Sequence, residues 1–271
     1  MSLVAGIKRT IREQFGRPGP RLLTVKTAWQ LTPNMIRVVF SGPELEAFPE
    51  GREGGNCKLL LPDPNETREV FAKRLADGSS LTKRTYTVRS FDAATGELAI
   101  DFVAHGDEGP ASRWASRAKP GDFLGFAGPS GPKITHFEAD YYIIAADPSA
   151  IPVAAATLEA MPRDAKGTAI FEVTSPEDRQ TLDAPEGIDI HWLVQPDPHV
   201  PSTAQEDFIR ALDWPDGRVQ TCIAGESNVI RSLRSFLHNE KQLPREDVYI
   251  SGYWKIGLVE DEHQQMKRKE N

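Results

Sequence analysis

The chain has 271 residues, 39% of them hydrophobic and 26% charged, a composition that excludes a disordered polyelectrolyte and allows one large domain or two ordinary ones. A formal charge of −7 argues against nucleic-acid binding through bulk charge. No apolar run approaches the ~20 residues that a membrane span needs.

In chain order, the segments "LLTVKTAWQL", "MIRVVFSG", "CKLLLP", "RTYTVRSF", "ELAIDFVAH" and "DFLGFAG" read as short strands separated by Gly and Pro. That rhythm predicts an antiparallel barrel or sandwich. A helical piece, "PASRWASRA", interrupts it between the fifth and sixth strands. The polar stretch 62–82, with "DPNETREVFAKRLADGSS", offers little apolar surface and is expected to be a mobile excursion. From about Thr135 the pattern changes. "YYIIAA" is a continuous apolar run, as in a strand covered on both faces. "IPVAAATLEAM", "TAIFEV", "IDIHWLV", "TAQEDFIRAL", "VQTCIAG", "NVIRSLRSFLHNE" and "VYISGY" follow, mixing strands with helices. This predicts a parallel sheet with helices on its faces. The expected fold is therefore an N-terminal antiparallel β-barrel, residues 1–134, and a C-terminal α/β Rossmann-like parallel-sheet domain, residues 135–271. The tail "EDEHQQMKRKEN" is charged throughout and reads as a solvated helix end or disorder.

Cys57 and Cys222 are the only cysteines, and they supply no CxxC and no four-ligand set. Both read as buried thiols. The six histidines show no metal-ligand spacing either, so no protein-bound metal is expected. The start, "MSLVAGIKRTIREQFGRPGP", has no long apolar region and no small-residue cleavage site, which predicts a cytoplasmic protein.

Two stretches carry chemistry. "KRTYTVRSFD", residues 83–92, sets an aromatic ring, a hydroxyl and guanidinium groups on one short strand with hardly an acid nearby. Either this is a solvated sheet edge or a site for a flat, phosphate-bearing cofactor. "HGDEGPASRWASRAKPGD", residues 105–122, sets Gly109 and Pro110 at a helix start where Ala111 and Ser112 expose N–H groups. A helix start of this kind attracts phosphate. Alone it reads as a plain Gly-Pro start. Together with Arg84 for a pyrophosphate, Tyr86 for a ring face, Thr87 for a ring nitrogen and His105 from the adjoining strand, the parts suit FAD.

The order of "KRTYTVRSFD", "IDFVAHGDEGPASRWASRAKPGD", "AGES…IRSLRSFL" and "VYISGYWKIGL" resembles the siderophore-interacting protein family. Its members are ferric-siderophore reductases among the ferredoxin–NADP reductase-like flavoproteins. The resemblance runs from about Arg21 to Glu260. It implies a flavin motif of Arg84, Tyr86, Thr87, Val88 and Arg89, with Asp101, Phe102, Val103 and His105 lining FAD from the next strand. It also implies that Gly109, Ala111 and Ser112 cradle the pyrophosphate beside Trp114, and that Tyr253 and Trp254 close over the flavin. Asp147, Ala224, Gly225 and Glu226 would line a nicotinamide pocket for NADH or NADPH. Lys58, Lys133 and Lys255 would hold an anionic ferric siderophore, although each also reads as an ordinary solvated lysine, Lys133 most of all. One departure stands out. In "AADPSAIP" Asp147 is kept, but Ala146 and Pro148 replace the family's usual Gly and Glu, which leaves NADH, NADPH and reduced ferredoxin open as donors.

The expected activity is electron transfer from NAD(P)H or ferredoxin through FAD to siderophore-bound Fe(III), in a monomer without nucleic-acid or membrane partners. A flavin or ferredoxin reductase with another acceptor is the first alternative, and a siderophore carrier is another. A hydrolase is the third: "GESNV" places Ser227 between strand and helix, with Asp247 and His263 available. Val229 replaces the closing glycine of that motif.

Overall fold

The computed structural model describes residues 19–104, 109–260, 262, 263 and 266. Strands β1 (Arg21–Thr32), β2 (Met35–Ser41), β3 (Asn56–Leu61), β4 (Thr82–Thr87), β5 (Ser90–Asp92), β6 (Glu97–Val103) and β7 (Phe123–Ala127) form one antiparallel sheet. Their order is β4-β3-β7-β1-β2-β6-β5. The sheet curls into a half-barrel, so β4 and β6 approach each other without joining a ladder. Period-two alternation sends Leu23, Val25, Val38, Phe40, Leu59, Ile100, Phe102, Leu124 and Phe126 into one core. Helix α2 (Pro110–Ala115) covers an open side of it with Ala111 and Ala115.

The 62–82 stretch is not a mobile excursion. It contains helix α1 (Arg68–Asp77), capped by Thr67 and ended by Gly78 in the left-handed region at φ 68°. Phe71 and Leu75, one turn apart, are buried against Leu60 and Leu81. Arg74 gathers the loop by binding Asp63 and Glu66 at 2.5 and 2.9 Å. Two apolar residues on one face and one cationic clasp are enough to dock a helix whose mean composition is polar.

The second sheet is parallel, with β8 (Tyr141–Ala146), β9 (Lys166–Val173), β10 (Gly187–Val194), β11 (Val219–Glu226) and β12 (Val248–Trp254) in the order β10-β9-β8-β11-β12. Its two faces separate Tyr142, Ile144 and Ala146 from Ile143 and Ala145, each set inside its own core. Helices α3 (Ile151–Ala160), α4 (Ala204–Arg210) and α5 (Ser227–Ser235) supply the covering layers. The chain runs from β8 outward to β10, then returns to β11 on the other side. The crevice between the carboxyl ends of β8 and β11 is therefore the topological switch point, where open α/β sheets bind ligands. Both cysteines are buried, and burial pushes the Cys222 thiol up to about 11.

Polar clasps join the two sheets. Asp178 lies in the short turn Pro176–Asp178 after β9. Its carboxylate accepts hydrogen bonds from Thr32 Oγ1, Asn34 N and Asn34 Nδ2, all at 2.8 Å, and from Thr174 Oγ1 at 2.9 Å. Arg89 forms a two-pronged pair with Glu159 at the end of α3, at 2.9 and 2.5 Å. The charged tail also docks at its described positions: Glu260 reaches β4, and His263 is 1% exposed.

Candidate functional site

β4 is the outer strand of the half-barrel and faces the second domain. Alternation along it places Arg84 and Tyr86 on one side, Thr85 and Thr87 on the other. The Tyr86 ring lies 4.6 Å from Phe102 between centroids, and Trp114 lies 5.9 Å from Phe102 and 6.1 Å from Phe40. Thr87, 5% exposed, lies beside the side chain of Tyr253 at the end of β12, whose hydroxyl is 3.1 Å from that of Tyr249. Burial pushes the Tyr253 phenol well above its ordinary range, so this hydroxyl keeps its proton. Tyr86, Phe102 and Trp114 thus form an aromatic cluster on one side of β4, and Thr87 meets Tyr253 on the other.

Arg84 stands at the rim, its Nε 3.5 Å from Glu260 Oε2. Glu260 Oε1 accepts from the Thr85 N–H and hydroxyl, both at 2.8 Å. Lys58, paired with Thr85 across β3, donates from its ammonium group to the same hydroxyl. Lys255 follows β12 and donates to Met266 Sδ at 3.5 Å. Lys133 lies 5.8 Å above the Tyr249 ring, in a separate cleft lined by Glu138, Glu246 and Asp247.

Val88 is fully buried, and its backbone pairs with Gly54 and Gly55. Arg89 is held by Glu159, with its Nε 3.9 Å from Asp101. Asp101 has a fully buried side chain whose two oxygens accept from Arg37 Nε and Nη2 at 2.6 and 2.7 Å. Val103 ends β6, half-buried. Gly109 is the N-cap of α2, which starts without a side-chain cap, and Ala111 and Ser112 are buried beneath it. His105 lies outside the described residues.

In the crevice of the parallel sheet Asp147 is the hub. Its Oδ1 accepts from Ser149 N at 2.9 Å and Ser149 Oγ at 2.6 Å, and its Oδ2 accepts from Trp254 Nε1 at 2.6 Å. Burial nonetheless lifts its carboxyl above the usual range. Tyr253 and Trp254, adjacent on a strand, thus point to different sites, one toward Thr87 and one into the crevice. Gly225 sits at φ 154°, and a Cβ there would come within 2.7 Å of Asp147 Oδ2, so a side chain is barred. Ala224 is buried beside it. Glu226 caps α5 by accepting from Asn228 N at 2.6 Å and Val229 N at 3.3 Å.

Ser227 Oγ lies 2.9 Å from His263 Nε2 and 2.7 Å from the Trp254 carbonyl. A hydroxyl has one proton, and the carbonyl can only accept it. His263 Nε2 therefore donates to Ser227 instead of drawing its proton away. Asp247 is bound to Arg218 at 2.8 Å, at the opposite end of the sheet, roughly 20 Å off by strand rise. The three do not form a nucleophile, base and orienting acid.

Family models agree with this architecture. The model of the siderophore-interacting FAD-binding domain matches residues 24–133, and that of the siderophore-interacting protein matches residues 139–257. The chain belongs to the siderophore-interacting protein family. Ferric vibriobactin reductase ViuB of Vibrio cholerae is 35% identical to it over 251 residues, 89% of this chain and 92% of that protein. The siderophore-interacting protein SipS from Aeromonas hydrophila superposes with a TM-score of 0.81 at 32% identity, covering 93% of this chain and 97% of that one. A ferredoxin–NADP+ reductase from Neisseria gonorrhoeae with bound FAD and NADP shares the fold, at a TM-score of 0.62 and 15% identity over 88% of this chain and 100% of that one.

In this siderophore-interacting protein, sequence reasoning missed Glu260, Glu159, Asp178, Glu172 and Gln205, all of which touch the site or the seam between the sheets. Each is a polar residue in a helix, a turn or at a strand end, where composition reads as solvent. No local motif marks them.

Proposed function

We propose that this chain is an FAD-dependent reductase of ferric siderophores that takes its electrons from NADH or NADPH. The observation that carries the reading is that one strand at the rim of the half-barrel, β4, presents Arg84, Tyr86 and Thr87, with Tyr253 of the second domain beside Thr87. The donor set fits FAD. Tyr86 offers a ring face, Thr87 and Tyr253 offer hydroxyls to a polar edge, and Arg84 offers a guanidinium group. The uncapped start of α2 at Gly109, Ala111 and Ser112 offers backbone N–H groups to a pyrophosphate. FAD supplies the passage from a two-electron donor to one-electron acceptors, so that one hydride reduces two ferric ions in turn.

The chain's own residues bind and orient. Phe102, backed by Trp114, packs against Tyr86, and the pairs Arg89–Glu159 and Asp178–Asn34 tie the two domains together beside the site. Lys58, on the strand next to β4, and Lys255, just after β12, are the cations that suit an anionic ferric chelate. Lys133, over Tyr249 and among acids, is the weakest member of that set. Iron reduced to Fe(II) binds hard oxygen ligands more weakly and is released. The division into a flavin domain of residues 1–134 and a nucleotide domain of residues 135–271 suits the change from antiparallel to parallel pairing after Ala127. The reading places the enzyme in the cytoplasm as a monomer, with reduced ferredoxin as the alternative donor.

The test is an anaerobic visible spectrum of the FAD-loaded protein. Flavin bands near ~450 nm should bleach with a nicotinamide nucleotide and return on adding a ferric catecholate siderophore. Protein that neither copurifies with FAD nor binds it on reconstitution would refute the reading. Good turnover on other acceptors with no ferric chelate reduced would favour a general flavin or ferredoxin reductase.

A further inference from the structure

The crevice at the carboxyl ends of the parallel strands has an unusual charge for a nucleotide site. Asp147, Glu172 and Glu226 line it, and no lysine, arginine or histidine does so among the described residues. The backbone donors that hold a phosphate at the first strand-to-helix turn are already engaged. Ser149 N bonds Asp147 Oδ1, Ala150 N and Ile151 N bond the Asp147 carbonyl, and Pro148 and Pro152 have no N–H. A 2′-phosphate monoester placed here would meet carboxylates instead of cations, and the pyrophosphate common to both dinucleotides would have to lie outward of this turn.

Hydroxyl groups are better served. Glu172 lies at the end of β9, the second strand of the sheet, and its Oε2 accepts from Ser202 Oγ at 2.7 Å. Gln205, three residues further along, lines the same crevice and is 5% exposed. Its amide nitrogen is buried and has no hydrogen-bond partner among the described residues. An unsatisfied buried donor of this kind is uncommon in a native fold and points to a missing acceptor. A carboxylate and an amide N–H₂ together match a ribose, whose vicinal hydroxyls both donate and accept. An acid in this region of a doubly wound sheet reads the free 2′-hydroxyl, whereas a 2′-phosphate calls for an arginine.

We propose that the crevice selects a nicotinamide dinucleotide with an unmodified adenosine ribose, NADH, and rejects its 2′-phosphorylated form. Glu172 is the specificity residue, and Gln205 is the second ribose contact. The inference rests on the reductase reading for its ligand class, and it is tested separately by binding. Calorimetric titration of the FAD-loaded protein with NAD⁺ and NADP⁺ at fixed ionic strength should give at least about tenfold tighter NAD⁺ binding, since like charges in contact are strongly unfavourable. Glu172→Gln keeps the side-chain size and should bring the two affinities within about threefold, mainly by improving NADP⁺. Gln205→Met should weaken NAD⁺ by roughly tenfold, the ordinary effect of losing a buried hydrogen bond to ligand. NADP⁺ binding as tight as NAD⁺ overturns the proposal, as does a ratio unmoved in Glu172→Gln. If that variant does not fold, the wild-type ratio decides. Failure of both nucleotides to bind also overturns it. In that case the reductase reading is judged on its own, by whether dithionite-reduced protein is reoxidised by a ferric siderophore.

Discussion

Asp101→Asn separates a residue that contacts the cofactor from one that supports the fold. Family resemblance places Asp101 beside FAD, yet its side chain is fully buried and both oxygens are held by Arg37, at 2.6 and 2.7 Å. Removing one partner of a buried, two-pronged ion pair costs about 3–5 kcal/mol, because the other charge stays behind uncompensated. The Arg37 side chain is 20% exposed and can regain some water, which argues for the lower end, about 3 kcal/mol. That is a large part of the ~5–15 kcal/mol by which a domain is stable. With no carboxylate oxygen free for a ligand, FAD affinity should change by less than about threefold. The assay is urea unfolding of both proteins at the same free FAD concentration, with a separate FAD titration. Arg37→Gln should show a similar loss, and the double variant should lose less than the sum. A tenfold weaker FAD complex with an unchanged urea midpoint would refute the reasoning and return Asp101 to the cofactor.

Glu260→Gln removes the carboxylate 3.5 Å from Arg84 and should tighten FAD binding about threefold at low ionic strength, with little effect at high salt. Titrations at two salt concentrations check this, and identical affinities in both proteins would show that Arg84 does not meet the pyrophosphate. At Asp178 burial alone would raise the carboxyl, but hydrogen bonds from Asn34, Thr32 and Thr174 hold it below its ordinary range. Its contribution is therefore present at neutral pH and is lost as pH falls through that lowered value. Asp178→Ala should cost about 2–3 kcal/mol at pH 7, and the gap between the urea midpoints should shrink below roughly pH 4; a gap independent of pH would contradict the assignment. Phe71→Ala should destabilise by about 3–4 kcal/mol through the lost packing of α1. The rate of flavin reduction, measured by stopped flow, should be unaffected, and a changed rate would tie α1 to the site.

Much of the architecture was legible because it is written in local pattern. The alternation in "ELAIDFVAH" and the unbroken apolar run "YYIIAA" each follow from how many faces of a strand are buried. The short motif "RTYTVR" was legible for the same reason: its ring, hydroxyl and guanidinium lie within one strand, so their relative positions follow from strand geometry. Helix α1 was misread because mean polarity hid the pair Phe71 and Leu75, which matter only through their spacing. The burial of His263 in the tail was not legible because it depends on what lies opposite in the fold.

The sequence by itself determined the two kinds of sheet, the order of their elements and the strand that presents Arg84, Tyr86 and Thr87 together, since each is set by residues near one another along the chain. Only the tertiary structure decided which charges meet. Arg89 with Glu159, Arg84 with Glu260, Asp178 with the β1–β2 turn and Trp254 with Asp147 are pairs separated by 70, 176, 144 and 107 positions or thereabouts in sequence number. Hydrogen bonds, including those within ion pairs, form only when donor and acceptor come within about 3.2 Å, so partners must be brought together by the packing of strands and helices before either residue's role exists.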